Sequence, residues 1–367
     1  MLLTGRDVPA LVRGASVLGS GGGGDAGTAG AMFRRALGAG SVELVADPAG
    51  LPGGGDAVVV PVGLVGATSV FAEELPAGTE FDRALAVVER WSGQRAVALT
   101  SIEAAGVNGV TALLTAVGRG LPVLDVDACG RALPRLDQFS LAVEDVSLTP
   151  LALCPPGGSV VVVDEADPRT VERTVRSVVA ASGGWAAIAL APQSAATAWA
   201  SGMPGTTARC LQLGRRLLEL PDQAPVRALA EAVDGTVLAA GRVVDVSRSS
   251  GVGFGRGSLT VRDHGTNALL RVEMENEFLV ALEDGLPVAT TPDVIALLDR
   301  RTAVPVLGER VRRGDDVVVV QIASPVFWRE PRRLAAVSPR AFGIDVDPVL
   351  VDLASGAPVP VAGPGGE

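Results

Sequence analysis

The arrangement of apolar residues changes in the second half of this chain, and that change limits the folds it can adopt. In the first half, residues with helical spacing alternate with short apolar runs, such as the helix predicted at 81–91 and the strand predicted at 96–101. From about Thr236 onward, short alternating segments are separated by Gly and Asp-Gly turns. We therefore predict an α/β N-terminal domain with a mostly parallel sheet, followed by a β-rich C-terminal domain.

A chain of 367 residues is long enough for two hydrophobic cores. We place the N-terminal α/β domain at 1–165, with a glycine loop and an acidic site, and the C-terminal domain at 166–353, β-rich after about residue 235. The last residues, 354–367, are rich in Gly and Pro and are predicted to form a mobile tail.

The net charge and the numbers of lysine, histidine and cysteine residues argue against several classes of function. A net charge of −10 disfavours nucleic acid and anionic membranes as partners, because both carry negative charge. The sequence contains no lysine, so neither the Schiff base of a PLP enzyme nor the lysine of a nucleotide-binding P-loop is available. One histidine and three scattered cysteines disfavour a His-rich metal site, a Ser-His-Asp triad and a thiolate zinc site.

No segment is apolar and long enough to span a bilayer, and Met1 to Asp7 lacks the pattern of a secretion signal. We therefore expect a cytoplasmic protein with no membrane partner. We also expect a small-molecule substrate, no PLP or nucleotide cofactor, and assembly as a homo-oligomer.

The first candidate binding element is a glycine loop between two predicted helices. No strand precedes the loop, so it is not a Rossmann fingerprint. Its backbone N–H groups lie at the start of a helix, where they are suited to hold a carboxylate or an oxyanion. The alternative interpretation is a turn where two helices pack closely. The candidate substrate-binding residues are Gly22, Gly23, Gly24 and Asp25.

Acidic and amide side chains follow two consecutive predicted strands. Glu103 and Asn108 come after the strand at 96–101, and ligands of open α/β sheets bind just past such strand ends. Asp125 and Asp127 alternate at the end of the next strand, so both side chains point to one face. Two acids at close range raise one pKa, which suits general acid–base catalysis near neutral pH. Asp125, Asp127 and Glu103 are equally suited to hold a divalent metal.

Other candidates have a structural interpretation of similar weight. Arg131 is suited to clamp a substrate carboxylate, or to form a structural network with the acids. Asn108 also suits the N-cap of the following helix. Asn276 and Glu277 interrupt apolar strands, where they line a cleft or form hairpin edges. For Asp293 we predict the cap of a helix at 294–298, and for Cys129 a structural role.

Nine motifs, in order and over nearly the whole length, resemble the S-methyl-thiohydantoin desulfurase family. The resemblance implies the same two-domain organisation and the removal of methanethiol from an S-methyl-thiohydantoin to give a hydantoin. The chain departs from the family pattern at Glu74, Ala105 and Arg135, where Lys, Gly and Glu are usual. The motifs are SGGGGD (20–25), the run 66–80 with Glu73 and Leu75-Pro76, IEAAGVNG (102–109), GLPVLDVDACGRALP (120–134), GMPGT (202–206), GFGRG (253–257), ENEFLVA (275–281), PDVI (292–295) and PRAFGID (339–345).

From these residues we expect water to attack an electrophilic carbon of a five-membered N-heterocycle. Asp127 or Asp125, with Glu103, removes the proton of that water. Asn108 and the glycine-loop N–H groups stabilise the anionic intermediate, while Arg131 binds the substrate or balances the acids. One alternative is a hydrolase of a cyclic amide or imide, or a biosynthetic enzyme acting on a related heterocycle. Another is a non-catalytic partner subunit of a hydantoinase or oxoprolinase, which would expose a large apolar patch.

Overall fold

The computed structural model describes residues 1–249 and 255–361, apart from the side chains of Ser69 and Ala72. The chain divides into two compact units. Unit 1 consists of Met1–Ala15 and Gly24–Leu211, and unit 2 consists of Ser16–Gly23 and Gln212–Glu367. Part of the motif at 253–257 and the last six residues of the predicted tail lie outside the described residues.

A mixed ten-stranded sheet is the frame of unit 1. Its strands are β1 (Leu2–Thr4), β2 (Ser41–Val45), β3 (Val58–Gly66), β4 (Ala98–Ser101), β5 (Val123–Asp127), β6 (Leu151–Cys154), β7 (Val161–Val163), β8 (Trp185–Ala189), β9 (Gln193–Ser194) and β10 (Met203–Pro204). The central strands, in the order β2-β5-β4-β3, are parallel, and antiparallel strands extend both sides. The predicted α/β class with a mostly parallel sheet is confirmed.

Helices connect and flank these strands. Those of the described residues are α1 (Val8–Leu18), α2 (Ala26–Leu37), α3 (Thr68–Glu73), α4 (Glu80–Ser92), α5 (Asn108–Arg119), α6 (Ser140–Val143), α7 (Pro168–Ala181), α8 (Ala195–Ser201), α9 (Thr206–Glu219), α10 (Val226–Ala232) and α11 (Pro331–Val337). Helices α4 and α5 provide the crossovers that parallel strands require, from β3 to β4 and from β4 to β5. None of the helices in the described part of the chain is long and apolar enough to cross a membrane.

Helix α4 shows how the sequence pattern produces these elements. Its buried face is formed by Phe81, Ala84, Leu85 and Val88, which are spaced three and four residues apart. The helix ends at Gly93, whose left-handed φ of 71° favours glycine. The helix predicted at 81–91 is therefore confirmed within one residue at each end.

Unit 2 contains a curled antiparallel sheet of seven strands, in the order β15-β14-β13-β12-β11-β17-β16. The β-rich C-terminal region predicted from the sequence is confirmed. Its strands are β11 (Gly235–Ser249), β12 (Arg256–Asp263), β13 (Leu269–Glu275), β14 (Glu277–Glu283), β15 (Leu286–Thr290), β16 (Val294–Asp299) and β17 (Asp316–Ile322), and a separate pair is formed by β18 (Val349–Val351) and β19 (Pro358–Pro360).

Ser20 bridges two strands of this sheet that are not neighbours in its order. Its carbonyl oxygen accepts from the N–H of Phe278 in β14 at 2.7 Å. Its hydroxyl donates to the carbonyl oxygen of Ile295 in β16 at 2.9 Å and lies 3.2 Å from that of Phe278. Because one residue reaches both strands, β14 and the last strand β16 lie close together, and the sheet is nearly closed.

The prediction of a helix at 294–298 is wrong, because these residues form the strand β16. Its side chains from Val294 to Leu298 are apolar and buried, and it pairs antiparallel with β17 along its whole length. A short apolar run fits a buried strand and a buried helix equally well, and the pairing partner decides between them. Asp293 is consequently not a helix cap; it is fully buried and binds groups from three other segments.

The segment predicted as a mobile tail is partly ordered. Strand β19 pairs with β18 through the register from Val349 with Pro360 to Val351 with Pro358. Beyond Val361, the predicted tail lies outside the described residues. Proline is tolerated in β19 because an edge strand needs few N–H donors.

Helices α1 and α9 approach closely in unit 1, and Gly14 allows this contact. A Cβ at Gly14 would lie 1.8 Å from the carbonyl oxygen of Cys210. We expect Gly14→Ala to lower the free energy of unfolding by about 3 kcal/mol, because helix backbone must move to accommodate a methyl group. Chemical denaturation measures this change.

Gly118→Ala is the matched control. Gly118 is also a helical glycine, in α5, but nothing lies within 4 Å of the position its Cβ would take. Alanine there is expected to raise the free energy of unfolding by about 0.5–1 kcal/mol, through helix propensity alone. If Gly14→Ala and Gly118→Ala changed the free energy of unfolding equally, the α1–α9 contact would not require glycine at position 14.

Candidate functional site

Asp127, the last residue of β5, is the centre of a buried cluster in unit 1. Only 3% of its surface is exposed. Its carboxylate accepts hydrogen bonds from the N–H of Ala104 at 2.5 Å, the N–H of Gly130 at 3.0 Å and the hydroxyl of Thr206 at 3.0 Å. Burial raises the pKa of Asp127 to about 7, because loss of hydration outweighs these hydrogen bonds, which act in the opposite direction. This carboxyl can therefore gain or lose a proton near neutral pH.

Asp125, two residues earlier on β5, caps helix α9. Its two oxygens accept from the N–H groups of Thr207 at 2.8 Å and Ala208 at 3.1 Å. A carboxylate at this position satisfies the first-turn donors and interacts favourably with the helix dipole. Burial nevertheless raises the pKa of Asp125, with the two backbone hydrogen bonds opposing the shift. Both aspartates thus reach the start of α9, as their alternation along β5 predicts.

Glu103 and Asn108 form the second part of the cluster. The Asn108 side chain holds the backbone of Leu64 in β3 twice, since its Oδ1 accepts from the Leu64 N–H at 2.6 Å and its Nδ2 donates to the Leu64 carbonyl at 3.0 Å. Nδ2 also donates to Glu103 Oε1 at 2.9 Å, and Glu103 Oε2 accepts from the N–H of Leu133. The alternative of Asn108 as an N-cap is wrong, because Asn108 is the first residue of α5 and its side chain binds another strand.

Arg131 and two cysteines lie near these acids. Arg131 is fully buried, and its Nε donates to the Ala132 carbonyl at 3.0 Å. Cys129 Sγ donates to the Ile102 carbonyl. Cys210 Sγ donates to the Ala104 carbonyl at 2.9 Å; burial raises its pKa, and the charges of the two aspartates raise it further. Cys210 is therefore a neutral thiol at physiological pH, which makes it a poor nucleophile.

The donors around the acids do not fit a bound metal ion. Asp125, Asp127 and Glu103 all accept from backbone N–H groups, whose positive ends would repel a cation. Across the described ranges, no group of three or more His, Cys, Asp or Glu side chains is placed to hold one metal. The divalent metal considered from the sequence is therefore not supported by these residues.

The glycine loop is divided between the two units. In unit 2, the N–H groups of Gly22 and Gly23 both donate to the Gly19 carbonyl at 2.9 Å, so they are used within the loop and not as an oxyanion hole. In unit 1, Asp25 caps α2 by accepting from the Gly27 N–H at 2.8 Å. Gly24 packs on Thr68, since a Cβ there would lie 2.4 Å from the threonine Cβ.

Gly22, Asn276 and Glu277 are brought together in unit 2. A Cβ at Gly22 would lie 2.4 Å from the Glu277 nitrogen, so glycine is required for this packing. Asn276, with a left-handed φ of 58°, separates β13 from β14, and its Oδ1 accepts from the Gly255 N–H at 3.1 Å. These contacts fit the hairpin interpretation of Asn276; a substrate-binding role for the three residues stays a prediction.

Thr206 is a member of the cluster that sequence reasoning missed. Its hydroxyl lies 3.0 Å from Asp127 and 2.8 Å from the Met203 carbonyl. The motif GMPGT contains it, and threonine is common at the start of a helix, as Thr206 is in α9. The contact itself joins residues 79 apart in sequence.

The raised pKa of Asp127 predicts a distinctive pH dependence of stability. The folded state holds this proton more tightly than the unfolded chain does. The contribution of Asp127 to the free energy of unfolding is therefore complete below pH about 4 and is lost as the pH rises toward 7. Urea denaturation at a series of pH values from 4 to 7 measures this. The free energy of unfolding of the wild type, minus that of Asp127→Asn, should fall as the pH rises. Parallel pH profiles for the two proteins would contradict the raised pKa.

Comparisons with known proteins agree with this fold. The family model described as S-Me-THD-like, N-terminal domain matches residues 6–165, and S-Me-THD-like, C-terminal domain matches residues 166–351. An X-ray structure of a protein from Chromobacterium violaceum, a structural genomics target, is similar with a TM-score of 0.78 and 24% identity, covering 98% of this chain and 100% of that one. No curated protein matches. The chain therefore belongs to the S-Me-THD-like family, in agreement with the resemblance that its nine motifs carry.

Proposed function

We propose that this protein is an enzyme that removes the S-methyl group of an S-methyl-thiohydantoin-like heterocycle as methanethiol by hydrolysis. The single observation that carries this proposal is the Asp127 carboxyl, whose pKa is raised to about 7 at the carboxyl end of a central parallel strand. A general base works best when its pKa is near the pH of the reaction. Strand ends of open α/β sheets are also where ligands of such folds bind.

In the proposed reaction, water attacks the ring carbon that carries the S-methyl group, and Asp127 accepts the proton of that water. The tetrahedral intermediate then expels the sulfur, which takes the proton back from Asp127 and leaves as methanethiol. Water and the S-methyl-thiohydantoin are thereby converted to hydantoin and methanethiol, with no oxidation or reduction.

The other buried residues support Asp127 in this proposal. The N–H groups of Ala104 and Gly130 hold its carboxylate in position, so little reorganisation is needed when its charge changes. Asn108 and Glu103 fix the backbone on either side by binding Leu64 and Leu133. Residues with locked hydrogen bonds keep a catalytic group within the small tolerance that catalysis requires.

The test is a mass-spectrometric assay of the purified protein with S-methyl-thiohydantoins, thiohydantoins and hydantoins, each with and without a metal chelator. We expect methanethiol and the corresponding hydantoin from the S-methylated compounds, at a rate that the chelator does not change. Ring opening of a hydantoin, seen as addition of one water, would indicate a cyclic-amide hydrolase instead. No turnover of any compound by folded protein would contradict the proposal and favour the partner-subunit alternative.

A further inference from the structure

Gln193 is a buried amide on the short strand β9, where it pairs with Val59 of β3. The residue is 7% exposed. Neither its Oε1 nor its Nε2 has a hydrogen-bond partner among the described residues. An amide taken from water into a protein loses its hydrogen bonds to solvent, and such groups are rarely left without replacements. We therefore expect the Gln193 amide to bind a hydrogen-bond partner that is not a protein side chain.

Gln193 is one of the residues that border a small recess in unit 1. The volume of the recess is about 10 Å³, which corresponds to one water molecule. Polar and apolar residues both line it, so it is not a purely hydrophobic void. The residues around Gln193 include Thr100, Ser101, Val126, Leu141 and Ala198.

This recess lies on a different face of the sheet from the Asp127 carboxyl and the groups that bind it. Val126 and Ala198 belong to one apolar cluster on the face of the sheet covered by α8. Neighbouring residues of a strand point to opposite faces, so the Asp127 carboxyl lies on the other face. Asp127 is itself one of the residues around the recess. Its carbonyl oxygen lies 2.7 Å from the position that a Cβ of Gly202, another of these residues, would take.

The chemistry of the amide selects the ligand. A cation would satisfy Oε1 and be repelled by the Nε2 hydrogens, whereas an anion would satisfy Nε2 and be repelled by Oε1. A molecule that both donates and accepts matches both atoms. Among such molecules, the volume of the recess admits water and excludes a five-membered ring.

We propose that one water molecule binds in this recess, accepting from Nε2 and donating to Oε1 of Gln193 or to a second acceptor in the wall. The residues around this water include the last residues of β4 and β5. Because the residues that line the recess are buried, this water belongs to the folded structure and resides longer than a surface water.

A high-resolution crystal structure of the wild-type protein tests the proposal directly. We expect one isolated density peak at about 2.7–3.2 Å from an amide atom of Gln193. A recess without density overturns the proposal, and so does density for a larger molecule that also appears as added mass in native mass spectrometry. This readout is independent of enzymatic activity, so it also separates the water site from the proposed function.

Oxygen-17 relaxation dispersion provides a second test in solution, because it counts long-lived internal waters. We expect Gln193→Leu to lose one such water relative to the wild type. Gln94→Leu is the control, since Gln94 is exposed and its replacement should leave the count unchanged. An unchanged number of long-lived waters in Gln193→Leu overturns the proposal. If that variant does not fold, the electron density of the wild-type crystal structure decides.

Discussion

Asp293→Ala is expected to lower the free energy of unfolding of unit 2 by about 4 kcal/mol or more. One oxygen of Asp293 accepts from the Ser324 N–H at 2.8 Å, the Ser324 hydroxyl at 2.7 Å and Arg329 at 3.0 Å. The other accepts from the N–H of Val351 at 2.6 Å and the amide of Gln321 at 3.0 Å. The carboxylate is fully buried, so solvent cannot replace it.

The size of this effect comes from the groups left behind. Alanine would leave the backbone N–H groups of Ser324 and Val351 without their acceptor in a buried environment. It would also remove the carboxylate that pairs with the part-buried Arg329 guanidinium, and each loss costs free energy separately. Asp293→Asn keeps the shape but places an NH₂ group against donors, so an intermediate loss is expected. Urea denaturation followed by circular dichroism measures both variants.

Asp299→Ala is the matched control in the same unit. Asp299 is likewise a carboxylate acceptor and accepts three hydrogen bonds, from the Arg301 N–H at 3.1 Å and from the Thr302 N–H and hydroxyl, both at 2.7 Å. These contacts are exposed, so water replaces the carboxylate, and a loss of only about 1 kcal/mol is expected. If Asp293→Ala cost no more than Asp299→Ala, burial would not explain the importance of Asp293.

Asp293 also shows where sequence reasoning reaches its limit. Its position before an apolar run suggested a helix cap, because capping is a local relationship visible in the sequence. Its actual partners, Ser324, Arg329 and Val351, lie 31 to 58 residues away. Hydrogen bonds of this kind depend on tertiary packing, which the residues next to Asp293 do not encode.

The elements with strong local patterns were predictable. Helix α4 matches its predicted bounds within one residue at each end, and strand β4 lies within the predicted range 96–101. Helical spacing in the first and a short apolar run in the second were the signals. Short strands with weaker patterns were missed, among them β2 and β6. Their pairing with longer neighbours, not their own composition, makes them strands.

The candidate site was predictable in part for the same reason. Alternation along β5 placed Asp125 and Asp127 on one face, and both do reach the start of α9. For the glycine loop, the sequence leaves both anion binding and a turn of closely packed helices open; the N–H groups of Gly22 and Gly23 are bound to Gly19. Glycine content indicates close backbone approach without showing what approaches, and for Gly22 it is the backbone of β14.

Asp127→Asn is expected to lower kcat for an S-methyl-thiohydantoin substrate by about 10²- to 10⁴-fold, because asparagine cannot accept the proton of the attacking water. The wild-type rate should increase as pH rises through about 7, where the Asp127 carboxyl becomes ionised. That increase should be missing from the residual activity of Asp127→Asn.

Glu89→Gln separates this catalytic effect from a general loss of structure. Glu89 is a buried acid of unit 1 that binds the Ala96 N–H at 3.0 Å and Arg119, outside the Asp127 cluster. Its replacement should reduce stability but leave kcat within about threefold and keep the pH dependence. If Asp127→Asn remained folded and retained wild-type kcat, Asp127 would be a structural acid whose raised pKa reflects burial alone, and the general base would have to be sought elsewhere.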